Sequence, residues 1–255
     1  MPRPIEVSNL SVGYAGVQAL ENVSFEVDQG EFLGIIGPNG AGKSTLFACM
    51  LGLNTQYTGT VRVFGQNIHR SKGPLKKIGY VPQMMHFERN FPVTVREVIQ
   101  LGMWHGVQEE SVDEVMRELW IHELADRRIG ELSGGQQQRV FIAKAMVNDP
   151  KMLILDEPVT GVDQASMSLF YGILKDLNSN HGITIMWSSH DLDAIKMMSS
   201  HVACLNRTLY FHGAAKEFFA DEKLAQIMCQ CTDPSECMEH NPGIAEPPPI
   251  RNEAS

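Results

Sequence analysis

The sequence predicts an α/β fold: a buried parallel sheet with helices, joined to an antiparallel β subdomain and an α-helical subdomain. Three observations carry this. Phe32-Leu33-Gly34-Ile35-Ile36 is a short apolar run bounded by glycines, as a strand buried on both faces should be, and it leads through a glycine-rich stretch into Thr45-Leu46-Phe47-Ala48-Cys49-Met50-Leu51, which reads as a helix. Ile5-Glu6-Val7 and Val23-Ser24-Phe25-Glu26-Val27 alternate apolar and polar residues, the mark of half-exposed antiparallel strands. Residues 84–132 carry helical spacing and no strand candidate.

Composition bounds the functional classes. The chain has 255 residues, 43% of them hydrophobic, enough for a sizeable core, and a net charge of −9 that offers no basic surface to nucleic acid. No run of 18 apolar residues occurs, and Met1-Pro2-Arg3-Pro4-Ile5-Glu6 lacks the pattern of a signal peptide, so a cytoplasmic chain is expected. Five cysteines, with Cys49 and Cys204 in apolar surroundings, point to core thiols rather than a disulfide framework.

Taken in order, Ser11-Val12-Gly13-Tyr14-Ala15-Gly16 leaves an aromatic on an expected turn, where Tyr14 is either a surface tyrosine closing a hairpin or a stacking platform for a purine. Gly37-Pro38-Asn39-Gly40-Ala41-Gly42-Lys43-Ser44-Thr45 fits G-x-x-x-x-G-K-[ST] at every fixed position. Strand, glycine loop and helix are what a triphosphate cradle requires: inward N–H groups, a helix N-terminus, Lys43 for the β/γ-phosphates and the Ser44 hydroxyl for Mg²⁺. Gly59–Gly65 reads as an edge-like strand, and Ile78-Gly79-Tyr80-Val81-Pro82-Gln83 as another that ends in an amide able to meet a water or Mg²⁺. Thr94–Glu97 and Ser111–Glu114 both read as capping boxes opening helices of the insert.

Leu132-Ser133-Gly134-Gly135-Gln136-Gln137-Gln138-Arg139 then enters a helix, with Ser133 and Gln136 as a capping pair and two glycines baring its N-terminus. A second anion-binding helix end, in a chain that already has a complete cradle, has a use if it serves a nucleotide held by another copy. Lys151-Met152-Leu153-Ile154-Leu155-Asp156-Glu157-Pro158 is a buried strand delivering two carboxylates: Asp156 for Mg²⁺ and Glu157 to orient or deprotonate an attacking water. Thr160-Gly161-Val162-Asp163 turns into a helix with Leu169, Phe170, Ile173, Leu174 and Leu177 on one face, and Ile183–Ser189 is a further strand presenting His190. Ligands of open parallel sheets sit at strand C-termini, so Gln83, Asp156 and His190 are expected to converge on Gly37–Thr45.

With these motifs in place, residues 5–220 resemble an ATP-binding cassette (ABC) transporter ATPase, a P-loop NTPase. The resemblance implies that Tyr14 stacks adenine, Gly37–Thr45 is Walker A, Gln83 the Q-loop glutamine, Ser133–Gln136 the signature, Asp156 the Walker B aspartate, Glu157 the catalytic carboxylate, Asp163 the D-loop aspartate and His190 the switch histidine. It implies ATP and Mg²⁺ as cofactors, a head-to-tail homodimer closing on ATP, and a transmembrane permease that holds the chain on the inner face of the cell membrane. Val81-Pro82-Gln83, Phe91-Pro92-Val93-Thr94-Val95 and His201–Gly213 are similar to the subfamily driving zinc and manganese import, in which an extracellular metal-binding protein feeds the permease; iron-chelate importers are the nearest competing assignment. A soluble repair or translation ATPase fits less well, since Gly42 and Ser133 are only 91 residues apart without heptads and there is a single cassette. The expected division is an ATPase domain over 1–224, with a helical subdomain at about 84–135 that docks the permease, where charge reversal at Arg96 or Glu97 should uncouple transport. A tail over 225–255 reads as disordered and acidic, yet Cys229, Cys231, Cys237 and His240 supply enough soft ligands for one tetrahedral zinc, a candidate brake on the ATPase.

Overall fold

The computed structural model describes residues 2–14, 16–83, 88, 91–158 and 163–220. These form two compact units: the described residues up to Pro74 together with those from Met186 onward, and those from Leu75 to Ile185. The first unit opens with β1 (Ile5–Tyr14), β2 (Val17–Val27), β3 (Phe32–Ile36), α1 (Lys43–Met50), β4 (Thr58–Val63) and β5 (Gln66–Asn67). The second carries β6 (Ile78–Val81), α2 (Val95–Gln100), α3 (Glu110–Glu118), α4 (Gly134–Met146), β7 (Met152–Asp156) and α5 (Gln164–Ser179). The division falls within β8 (Thr184–Ser188), and the first unit resumes with α6 (Leu192–Met198), β9 (His201–Asn206), β10 (Thr208–Ala214) and α7 (Ala215–Ala220).

In the first unit the alternating segments do form an antiparallel sheet, ordered β2-β1-β4-β5, with Ile5 opposite Val27 on one side and Val63 on the other. Ile5, Val7, Leu10 and Val12 of β1, and Leu20, Val23, Phe25 and Val27 of β2, are buried, so the period-two pattern marks the core face, broken by a step of three at Val7–Leu10 and Leu20–Val23 where the register shifts. β4 is flanked by β1 and by the two-residue β5, which makes it less of an edge than its sequence suggests. Tyr14 is not on the turn but is the last residue of β1, paired with Val17. β3, buried at all five positions, pairs in parallel with β9, and β9 forms a hairpin with β10.

In the second unit β6 and β7 pair in parallel, in register from Ile78–Met152 to Val81–Leu155. The Thr94 cap of α2 forms as expected, its hydroxyl accepting from Glu97 N and its N–H donating to the Glu97 carboxylate. The Ser111 capping box does not form. Ser111 N and Val112 N already donate to Gln108 O and Glu109 O, so the first turn of α3 is wound upstream of Ser111, which lies inside the helix. In α5, Phe170, Ile173, Leu174 and Leu177 are buried, whereas Leu169 is 38% exposed because it sits one residue, about 100°, off that stripe. Among the described residues of the insert the one extended pairing is an isolated bridge between Thr94 and Arg128.

Candidate nucleotide-binding and catalytic site

The phosphate loop of the first unit is shaped by glycines at contact distance from backbone. A Cβ on Gly37 would lie 2.0 Å from Leu205 O, and one on Gly42 would lie 2.5 Å from Leu20 Cδ2 and 2.7 Å from Ala19 O. Gly42 is the N-cap of α1 in the left-handed region (φ 97°) and has no side chain to accept from the first helical N–H groups, so those donors face the loop without a side-chain cap. That is an anion-binding helix end. Lys43, only 5% exposed, folds back and donates to Gly37 O at 2.8 Å and Pro38 O at 3.2 Å, so its ammonium lies within the loop. Ser44 is exposed beside it. The loop is braced by the β9–β10 turn: Arg207 N donates to Ala41 O at 2.9 Å, and Arg207 adopts φ 62°.

Tyr14, 47% exposed at the end of β1, accepts a hydrogen bond at 2.7 Å from Asn54 Nδ2, just past α1. His190 is exposed after β8 and is flanked by Ser189 and by Asp191, which caps α6 by accepting from Ala194 N at 3.0 Å.

In the second unit the β6–β7 register explains the meeting of two expected site residues. Gln83 and Glu157 each lie two residues beyond the paired Val81 and Leu155, and Gln83 Nε2 donates to Glu157 Oε2 at 3.2 Å. Asp156 is 4% exposed at the end of β7. Burial, and then the charge of Asp156, push the Tyr80 phenol above its ordinary range. Glu157 has φ 46°, unusual for a residue with a side chain.

Ser133 and Gln136 form the reciprocal box expected of them, Ser133 Oγ accepting from Gln136 N at 3.3 Å and Gln136 Oε1 accepting from Ser133 N at 3.0 Å. Ser133 and Gly134 are exposed, while Gly135 is buried so closely against α5 that a Cβ there would lie 2.4 Å from Ser166 Cβ. Asp163 caps α5, and the Ser166 side chain and N–H bonded to it hold its carboxyl below the usual range. Sequence reasoning passed over Gln138, which is 1% exposed and donates from Nε2 to Pro158 O, directly after Glu157. The available signal was its place four residues before Ile142, on the buried side of α4.

Thr160, Gly161, Val162 and the tail residues Cys229, Cys231, Cys237 and His240 lie outside the described residues. Among the described residues no cluster of three or more His, Cys, Asp or Glu side chains is arranged to hold a metal ion. Cys49 and Cys204 are free and buried, and burial raises the Cys49 thiol to about 11.

Residues 20–160 match the family model described as ABC transporter. The chain is 38% identical over 252 residues to the zinc uptake system ATP-binding protein ZurA of Listeria innocua, covering 94% of this chain and 98% of that protein. It is likewise 38% identical to the manganese transport system ATP-binding protein MntB of Halalkalibacterium halodurans, with 87% and 90% of the two chains covered. In structure it is similar to a nucleotide-free ATP-binding cassette from an ABC transporter, with TM-score 0.78 and 26% identity over 89% of this chain and 98% of that one. It is also similar to an ATP-binding cassette in its ADP conformation, with TM-score 0.77 and 26% identity over the same shares of the two chains.

Proposed function

This chain belongs to the ABC transporter family, and from that premise we propose that its ATP hydrolysis drives import of a divalent metal ion, zinc or manganese, through a separate membrane permease. It is a nucleotide-binding ATPase. The metal reading is carried by one observation: the match to a zinc uptake protein runs over 94% of the chain, and the equal identity to a manganese transport protein keeps that ion beside zinc. Iron chelates remain the competing cargo.

In this reading Gly37–Thr45 and the bared end of α1 take the phosphates, Lys43 exchanges two carbonyls for β/γ-phosphate oxygens, and Tyr14 stacks on adenine. Ser44, Gln83 and Asp156 would hold Mg²⁺; a hydroxyl, an amide and a carboxylate oxygen are the hard donors that ion selects. Bound there, Mg²⁺ supplies positive charge that stabilises the phosphoryl oxygens. Glu157, its carboxylate anchored by the Gln83 amide, orients the attacking water and accepts its proton, and His190 hydrogen-bonds the γ-phosphate. Ser133–Gln136, with Asp163, serves the nucleotide of a second copy, so two chains close head to tail on ATP. Among the described residues no helix is long and apolar enough to cross a membrane, which supports a transmembrane path in another subunit, fed by an extracellular metal-binding protein. Phe91, Leu101 and Trp104, exposed apolar side chains of the insert, are the docking face for that subunit and keep the chain on the inner side of the membrane.

The test is reconstitution with a candidate permease subunit in liposomes, following ATP-driven uptake of zinc, manganese and an iron chelate. Zinc or manganese uptake is expected. Glu157→Gln should retain ATP, run as a dimer in Mg-ATP on size exclusion, and abolish uptake. Uptake of the iron chelate alone would overturn the metal assignment, and a monomeric Glu157→Gln chain the head-to-tail pair.

A further inference from the structure

Asn54 has no part in any motif, yet its backbone is fixed at one point and its side chain at two. Its N–H donates to Ala48 O at 3.0 Å and the preceding Leu53 N to the same carbonyl at 2.9 Å, so the chain is wound tightly onto the end of α1. Gln56 N donates to Asn54 Oδ1 at 2.9 Å. With Oδ1 occupied by an N–H, the amide has a single orientation that uses both of its ends, and in it Nδ2 points at the Tyr14 hydroxyl 2.7 Å away. Tyr14 is otherwise a half-exposed ring at the last position of a strand, where an unrestrained side chain samples several rotamers. The helix that holds Asn54 at its C-terminal end begins with Lys43 at the phosphate loop. One rigid element therefore sets both the cradle and the bracket for the ring.

We infer that Asn54 is a positioning residue for adenine recognition, locking the Tyr14 ring at a fixed place relative to the phosphate loop before nucleotide arrives. This rests on the reading of Tyr14 as the adenine platform. Affinity gained by pre-organising one ring through one partly exposed hydrogen bond is about three- to tenfold. The contribution belongs to the base and not to the phosphates, which separates it from general support of α1.

Calorimetric titration of the full chain with ADP and with pyrophosphate tests this on Asn54→Ala, Tyr14→Phe, the double variant and Tyr14→Ala. Asn54→Ala and Tyr14→Phe should each weaken ADP about three- to tenfold, the double variant no more than either, and pyrophosphate binding should not change. In turnover, KM for ATP should rise by the same factor at constant kcat. If Asn54→Ala and Tyr14→Phe bind ADP as the parent does while Tyr14→Ala weakens it, the platform stands and the role of Asn54 falls. Loss of pyrophosphate affinity in Asn54→Ala would make the residue a structural support of α1 and overturn the inference. If Tyr14→Ala leaves ADP unchanged, the platform reading itself is wrong.

Discussion

Replacing Gly135 by alanine puts a methyl group 2.4 Å from Ser166 Cβ and 2.5 Å from its hydroxyl, closer than side chains can approach, between α4 and the first turn of α5. Overpacking of this kind costs about 1–3 kcal/mol, against which alanine gains up to about 1 kcal/mol of helix propensity over glycine, so Gly135→Ala should lose about 1–2 kcal/mol net. Gly172, within α5, has nothing within 4 Å of its missing Cβ, so the same substitution there should gain about 0.5–1 kcal/mol. Removing the obstruction should restore the first variant: with Ser166→Gly the nearest of the atoms in the way is the Ser166 Cα at 3.6 Å, an ordinary contact. Urea or thermal unfolding of the parent and the four variants, Ser166→Gly alone included, decides it, with about 2–4 °C expected per kcal/mol. Gly135→Ala should melt lower, Gly172→Ala higher, and the Gly135→Ala/Ser166→Gly pair should exceed the sum of its singles by about 1–2 kcal/mol. A Gly135→Ala chain as stable as the parent, or additive singles, would refute the close-packing argument.

Charge reversal at Arg96 or Glu97 is no longer the clean way to uncouple transport, because Arg96 Nη2 is bonded to Asp113 at 2.7 Å and Glu97 closes the cap of α2. Leu101, 74% exposed, is the better probe: Leu101→Glu should keep the parent's melting temperature and basal ATPase while permease-stimulated hydrolysis falls severalfold, and loss of basal activity too would count against a docking role. Burial lowers His212 from 6.5 to about 4, so the unfolded chain binds the proton more readily and stability must fall as pH drops below 6.5. Between pH 6.5 and 5 this amounts to about 2 kcal/mol. Glu31, raised mainly by burial, acts in the opposite sense, losing stability as pH rises through its folded value. His212→Phe should flatten the urea-derived stability profile between pH 6.5 and 5, and an unchanged slope would place the effect on another group.

Much of the fold was legible because its signals are periodic or local. Period two in β1 and β2, the apolar runs of β3 and of β7 up to Leu155, and the boxes at Thr94 and Ser133 depend on residues within a few positions of one another. The β9–β10 hairpin was not recognised as strands, for reasons visible in its residues. Val202–Leu205 is a continuous buried run with no alternation, and the turn is made by Arg207 in the left-handed region, where a sequence would advertise glycine or asparagine. Yet that turn supports the phosphate loop through Ala41, and Leu205 O is what excludes a side chain from Gly37. The motif itself was therefore legible, while its bracing, about 165 residues further along the chain, was not.

The same limit is sharpest at Glu157. Its residue type and its place after a buried strand are local, and they carry the proposal of a catalytic carboxylate, but its φ of 46° is a property of surroundings that no local pattern encodes. A left-handed non-glycine residue costs about 1–3 kcal/mol and persists only where neighbours over-determine it. Here the chain is gripped at the strained residue and just beyond it: Gln83 holds the carboxylate, and buried Gln138 holds the carbonyl of Pro158, while β7 fixes the chain on the amide side. Each grip comes from a residue whose own position is set elsewhere, Gln83 by the β6–β7 register and Gln138 by the buried side of α4. A glycine at 157 would relieve the strain and lose the carboxylate, so the strain follows from requiring an acid at this turn. Two glutamines from distant parts of the second unit are what make that requirement affordable.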